Sequence, residues 1–288
     1  MNARLASAFE IAATARPAPE WTARPAPPPA RPRLGLGRPA PLGWLLGPGL
    51  LLFYWSVGSA SGFIDARILP SPWATAATAA DLIREGRLQT NLAVSALRAG
   101  EGFVLGVAAG LVVALISGLS LTGGYVFDGL VQMKRAIPTL ALIPLVILWF
   151  GIGEVMKVTV IALTVFIPVY LQTHNALRAI DLRYVELAET LGLSRWAFIR
   201  SVVLPGALPG VFLGLRFAVM SAWLALVVVE QLNAASGIGY MINLARTYAQ
   251  TDVIVVGLVV YALLGLVSDS AVRLAEARVL SWRRSLAS

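Results

Sequence analysis

Cysteine is absent from this chain of 288 residues, which excludes disulfides, thiolate metal sites and cysteine nucleophiles. Lysine is nearly absent too. Lys134 and Lys157 are the only two, and neither stands in a glycine-rich loop ahead of Ser or Thr, so the chain carries no phosphate-binding loop of its own. With His174 the single histidine, a multi-histidine metal centre is excluded. Charge is scarce: 13% of residues, against roughly 25% in soluble domains. Energised work by this protein would draw on another chain or on an ion gradient.

What is abundant is apolar sequence. Hydrophobic residues make up 58% of the chain and its mean hydropathy is +0.76. Six runs contain no Asp, Glu, Lys or Arg: Pro39 to Ile64, Gly102 to Phe127, Ala136 to Gly153, Val158 to Leu177, Phe217 to Val229 and Val253 to Ser268. A helix needs roughly 20 mostly apolar residues to cross a bilayer. The fifth run reaches that length by admitting Arg216 and the sixth by admitting Asp269, so the expected fold is all-α with six transmembrane helices. The net charge of +8 then reads as the positive-inside rule and not as a nucleic-acid footprint. Arginines gather in the N-terminal stretch (Arg4, Arg16, Arg24, Arg31, Arg33, Arg38), around the middle (Arg178, Arg183, Arg195, Arg200) and near the C-terminus (Arg273, Arg278, Arg283, Arg284). With six spans these segments share one side, so both termini are expected in the cytoplasm.

The expected organisation is a disordered Pro/Ala/Arg-rich tail over 1–41, a membrane domain over 42–272 and an amphipathic basic tail over 273–288. The tail over 1–41 does not read as a signal peptide, because its apolar run comes too late. Residues 73–87 are expected to lie as an amphipathic helix on the outer surface. In the second span Gly102, Gly106 and Gly110 recur every four residues, a ridge that admits a close neighbour. Arg98 and Glu101, one turn apart, are expected to pair. The third span carries Lys134 and Arg135 followed by Pro138 and Pro144, and proline kinks suit a pathway or gate. Lys157 is expected to reach the headgroups, and His174 to be a polar boundary residue. Arg216 and Glu230 in the fifth span are pathway candidates, since an ionisable residue within a span is by default functional. Ser236 to Asp252 is expected to be a re-entrant or surface loop.

The polar island from Val185 to Pro205, inside a loop over 176–205, interrupts this pattern: VELAETLGLSRWAFIRSVVLP. Glu186 to Leu191 favour a helix, Gly192 permits a left-handed stop, and Ser194 is placed to cap a second helix. A loop of this length with helices of its own reads as a docking element. A helix-turn-helix for DNA would fit the local pattern, but such a module needs a soluble domain around it. An ion-coupled secondary transporter is the chief alternative, although Glu230 is the one carboxylate expected deep in a span.

The island resembles the cytoplasmic loop of permease subunits of bacterial ATP-binding-cassette importers. Glu186, Ala188, Gly192, Leu204 and Pro205 match that signature in register, while Leu187 stands for an alanine and Val202 for an isoleucine. The sequences QMKRAIPTLALIPLVILWFGIGE, LPGALPGVFLGLRFA and SGIGYMINLARTYAQTD resemble the aliphatic sulfonate, taurine and nitrate branch, sulfonate permeases most. The similarity extends from Leu69 to Trp282. It implies a type I importer-like fold in the bacterial cytoplasmic membrane, forming a homodimer with two ATPase subunits below and a soluble substrate-binding protein outside. No cofactor belongs to the chain itself, ATP being bound by the partner. Glu186, Leu187, Ala188, Gly192, Leu193, Arg195, Leu204 and Pro205 would couple to the ATPase, with Ala188 admitting the partner surface and Glu186 and Arg195 at the rim. Arg135, Pro138, Pro144, Arg216 and Glu230 would belong to the pathway or gate of a small anionic cargo.

Overall fold

A computed structural model of the protein describes residues 43–282, the side chain of Trp44 excepted. The stretch expected to be a disordered tail, 1–41, lies outside the described residues, as do the last six of the expected basic tail. Contacts divide the chain into one unit ending at Gly49 and a second beginning at Leu50. Of the first, the described part is a 3-10 turn, Gly43–Leu45, and the opening residues of helix α1, Leu46–Ala60.

The second unit is helical throughout. After α1 come α2 (Pro72–Arg84), α3 (Arg87–Leu119), α4 (Leu121–Ala136), a 3-10 turn (Thr139–Leu142), α5 (Ile143–Phe150) and α6 (Glu154–Arg178). Then follow α7 (Leu182–Thr190), α8 (Arg195–Phe198), a π-helical stretch (Ile199–Val203), α9 (Leu204–Asn233), α10 (Ile238–Thr247) and α11 (Thr251–Val279). Four continuous helical runs among the described residues are long and apolar enough to cross a membrane: Arg87–Leu119, Glu154–Arg178, Arg195–Asn233 and Thr251–Val279. Together, α4 and the Thr139–Phe150 segment make a fifth candidate, broken by an 88° bend. The first expected span corresponds to α1, which at 15 residues is shorter than the roughly 20 that cross a bilayer upright.

Proline explains the break. Pro138 has no N–H to give, and Ile137 before it adopts the extended backbone that a following proline favours. The helix restarts with Pro144 in the first turn of α5, where a missing donor costs nothing.

Helix α6 is the centre of the bundle. Met156, Val160, Ile161, Val165 and Val169 are fully buried there, facing Ala218, Ala222, Leu226 and Val229 of α9. Its other side meets the glycine ridge of α3. A β-carbon at Gly106 would stand 2.5 Å from the Ala162 carbonyl oxygen and 2.7 Å from the Val165 side chain, so the expected close approach is present. A second ridge lies on α9, where Gly210 and Gly214 admit Ala176 and the Pro168 carbonyl of α6. Substituting Gly106 by alanine is expected to destabilise the bundle by about 1–3 kcal/mol, because the obstruction is backbone that cannot turn aside. Gly100, on the same helix with open space around it, should tolerate alanine without loss. Thermal unfolding of the two variants in detergent compares them.

In two stretches helix extends further than expected. Within the stretch expected to be a re-entrant or surface loop, residues 238–247 form a helix, with Ile238, Met241, Ile242 and Ala245 buried against Leu82 of α2 and Val253 and Val256 of α11. Helix α2 is held to the bundle by Thr78, whose hydroxyl donates to Asp252 at 2.8 Å. The last helix continues to Val279, past the expected boundary at 272, with Arg273 and Arg278 on the same helical run.

Candidate functional site

The bent two-helix element between α6 and α9 is built by caps. Asp181 accepts from the backbone N–H of Arg183 to start α7. The helix stops where Gly192 takes φ +63°, with its N–H donating to the Glu189 carbonyl and the Leu193 N–H to that of Ala188. These are the two crossed bonds of a Schellman stop. Ser194 then accepts from the Ala197 N–H and opens α8. Every bond here is local, which is why the bend was legible from the residues alone. From Arg195 the chain stays helical to Asn233 as one run of 39 residues, so α8 is continuous with a membrane-length helix.

The element's surface mixes exposed apolar side chains with the charged Asp181, Arg183, Glu189 and Arg195. Leu187 is 55% exposed, Leu191 65% and Trp196 68%, with Leu182, Tyr184 and Leu193 also open. Glu186 and Arg200 are exposed beside them. Ala188 lies elsewhere: it is buried within the chain. Its small size serves the inside of the bend, and Leu187 and Leu191 present the outward face. Leu204 and Pro205 form the first turn of α9, with Val203 just before them buried against Leu177 and Ala207.

At the broken span, Lys134 is half-buried. Its Nζ donates to Thr139 Oγ1 at 2.8 Å and to the Leu163 carbonyl at 2.7 Å, so it ties the end of α4 to α6 across the break. Arg135, Pro138 and Ile137 are exposed at the bend, and Pro144 starts the next helix. Arg216 has a counter-ion that sequence reasoning missed. Its Nε donates to Asp269 on α11 at 3.0 Å, and Arg273 reaches the other carboxylate oxygen at 2.6 Å.

Residues 104–281 match the family described as binding-protein-dependent transport system inner membrane component. The chain belongs to this family. It is 40% identical over 246 residues to the protein named aliphatic sulfonates transport permease protein SsuC in Bacillus subtilis (strain 168), covering 84% of this chain and 89% of that one. The protein of the same name in Escherichia coli (strain K12) is 42% identical over 239 residues, 83% of this chain and 90% of the other. Among solved structures, an amino acid ABC transporter with histidines matches with a TM-score of 0.54 at 18% identity, over 65% of this chain and 92% of that one. That likeness establishes the fold as type I ABC permease-like.

In this permease the end of the bundle away from the two-helix element is closed by a buried ionic cluster. Glu230 of α9, 1% exposed, accepts from Arg98 Nη1 at 2.7 Å, from the Ser95 hydroxyl at 2.8 Å, from the Gly239 N–H at 2.9 Å and from Tyr261 Oη at 3.2 Å. Arg98 also forks onto Glu154, at 2.5 and 2.7 Å, and donates to the Ser236 carbonyl at 2.6 Å. Lys157 completes the set at 2.8 Å from Glu154. Two cations therefore balance two carboxylates, and with the bonds from Gly239 and Tyr261 the cluster joins α3, α6, α9, α10 and α11.

The cluster corrects two expectations. Arg98 pairs with Glu154 and Glu230, and not with Glu101, which is exposed. Lys157 is buried against Glu154 and does not reach outward. Every oxygen of Glu230 is engaged, and a β-carbon at Gly237 (φ +115°) would overlap its carboxylate. His174, expected at the boundary, stacks on Tyr170 with ring centroids 5.3 Å apart, its Nε2 3.6 Å from Asp128.

Proposed function

We propose that this permease is the membrane subunit of an ATP-binding-cassette importer, working as a homodimer with two cytoplasmic ATPase subunits and a soluble substrate-binding protein outside, and that its cargo is a small anion of the aliphatic sulfonate class. The observation that carries the reading is the two-helix element: a capped, bent pair of helices continuous with a 39-residue helix, presenting Leu187, Leu191 and Trp196 to solvent. Apolar side chains held out on a rigid bend, beside charged Glu186 and Arg200, suit a protein groove. Neither they nor Gly192, Leu193, Leu204 and Pro205 have work to do in a simple connection. Closure of the ATPase pair on ATP would move this element, and the helix continuous with it would rock each half of the dimer between its two states.

Six spans per chain, with α1 as the first and both termini in the bacterial cytoplasm, fit the distribution of arginines. The sulfonate reading rests on the two curated relatives and on the cations at the pathway candidates. Arg135 is exposed at the broken span, where backbone free of helical bonds and a positive charge would favour an anion. Arg216 is the weaker candidate, because Asp269 already offsets its charge.

Arg216→Ala discriminates. Asp269 keeps Arg273 as partner, so accumulation of the variant in membranes should stay near wild type, while uptake of a radiolabelled alkanesulfonate should fall about ten-fold if the guanidinium attracts the anion. Unchanged uptake would leave Arg216 as a helix-to-helix tie only. The wider reading is tested by reconstituting the chain with its ATPase and binding protein in liposomes. Uptake that requires ATP supports it, and uptake by the chain alone, driven by an ion gradient, refutes it.

A further inference from the structure

Arg195 occupies the first residue of α8, just after the capping Ser194. A cation there is unfavourable to the helix itself, whose N-terminal end carries the positive pole of the backbone dipole. What it touches supplies the reason. Its Nη2 donates at 2.9 Å to the carbonyl of Leu119, the last residue of α3. The final carbonyls of a helix lack internal partners and form the negative pole, so the guanidinium satisfies one of them where a cation is most favourable. The other side-chain hydrogen bonds of the two-helix element, among the described residues, join positions four or fewer apart. This one crosses 76 positions.

The end of α3 is in turn fastened to two further helices. The Ser117 hydroxyl donates to Asp128 of α4, which also accepts from Tyr170 Oη of α6 at 2.7 Å, and Ser117 and Tyr170 lie 3.1 Å apart. Between Arg195 and this knot is a cavity of about 490 Å³, lined also by Ser120, Tyr125 and Arg178. Apolar packing of Phe198 near Leu119 and Leu177 holds the helices together but has no directional preference. Arg195 therefore spans a gap with a bond that fixes register.

We infer that Arg195 is a positioning residue for energy coupling: the strut by which motion of the two-helix element reaches α3, and through the Ser117–Asp128–Tyr170 knot α4 and α6, in parallel with the covalent route into α9. The inference rests on the docking reading above but assigns Arg195 a partner inside the chain, in place of the ATPase-facing role that the sequence suggests. Without the strut, α9 would be driven while its neighbours lag, and nucleotide would be hydrolysed without productive opening.

The test is Arg195→Ala and Arg195→Lys in the reconstituted complex of permease, ATPase and binding protein, measuring ATPase retention on affinity purification, ATP hydrolysis and cargo uptake together. R195A is expected to retain the ATPase and to keep hydrolysing ATP, while ATP consumed per solute imported rises about ten-fold, as loss of one charge-assisted hydrogen bond implies. R195K, which can still donate to the Leu119 carbonyl, should recover most of the coupling. Should R195A fail to accumulate, R195Q makes the same comparison with the charge removed and most of the length kept. Wild-type stoichiometry in the neutral variant overturns the strut, and so does loss of ATPase binding, which would place Arg195 in the partner's groove. Failure of the wild-type chain to hold the ATPase would be a different result, removing the docking reading and this inference with it.

Discussion

Replacing Glu230 by alanine is expected to abolish accumulation of the folded permease. The substitution leaves Arg98, whose side chain is 5% exposed, and buried Lys157 to share the single carboxylate of Glu154. It also strips acceptors from Ser95, Tyr261 and the Gly239 N–H. Removing one partner of a buried pair costs about 3–5 kcal/mol, a large part of the roughly 5–15 kcal/mol by which folded proteins are stable. Glutamine at the same position keeps the shape and one acceptor, so E230Q should fall between wild type and E230A. Glu154→Ala should also be costly although Glu154 itself is 59% exposed, because it leaves Lys157, 5% exposed, without its carboxylate and Arg98 with Glu230 alone. Thermal unfolding in detergent, followed by size-exclusion fluorescence, orders the three. If E230Q instead unfolded like wild type and failed only in uptake, Glu230 would belong to the pathway as a gate residue.

The second large effect concerns the two-helix element. Asp in place of Leu187 or of Trp196 should leave the permease folded, since both side chains are mostly exposed in the chain itself. Binding of the ATPase should weaken about 100-fold, as charge placed at the centre of an apolar contact does to interface anchors. ATP-dependent uptake should disappear with it. Ala188→Asp makes the opposite prediction: this residue is buried inside the chain, so the variant should lose stability before binding. Glu186→Lys, at an exposed charge beside the apolar face, should have a smaller effect that grows at low salt. Co-purification of the ATPase with each variant, alongside its melting temperature, separates loss of docking from loss of fold. Retained ATPase binding and uptake in both the Leu187 and Trp196 variants would refute the docking role.

The contrast between these two regions shows how a type I permease can be stiff at one end and responsive at the other. The ionic cluster draws five helices together around a saturated carboxylate. At the other end, Arg195, Leu119 and the Asp128 knot surround a cavity and depend on a handful of hydrogen bonds. A hinge belongs where few contacts must be remade, and rigidity where many meet.

What the sequence determined by itself was whatever is local or collective along the chain. Uncharged runs marked the membrane-length helices, because a bilayer imposes length and hydropathy on contiguous residues. Pro138 located the break and Gly192 with Ser194 the bend, because caps and kinks involve neighbours a few positions apart. The spacing of Gly102, Gly106 and Gly110 foretold a close approach, though not that α6 would make it. Tertiary structure decided the charge partners that lie far apart in sequence. Arg98 had Glu101 one turn away and chose Glu154 and Glu230, 56 and 132 positions distant, because on a helix three-residue spacing allows a contact while burial demands one. Arg216 found Asp269 and Lys134 found Leu163 for the same reason, while exposed Arg195 found the Leu119 carbonyl where the end of α3 comes within its reach. A buried charge takes the partner that packing brings within reach, and packing is not written in spacing.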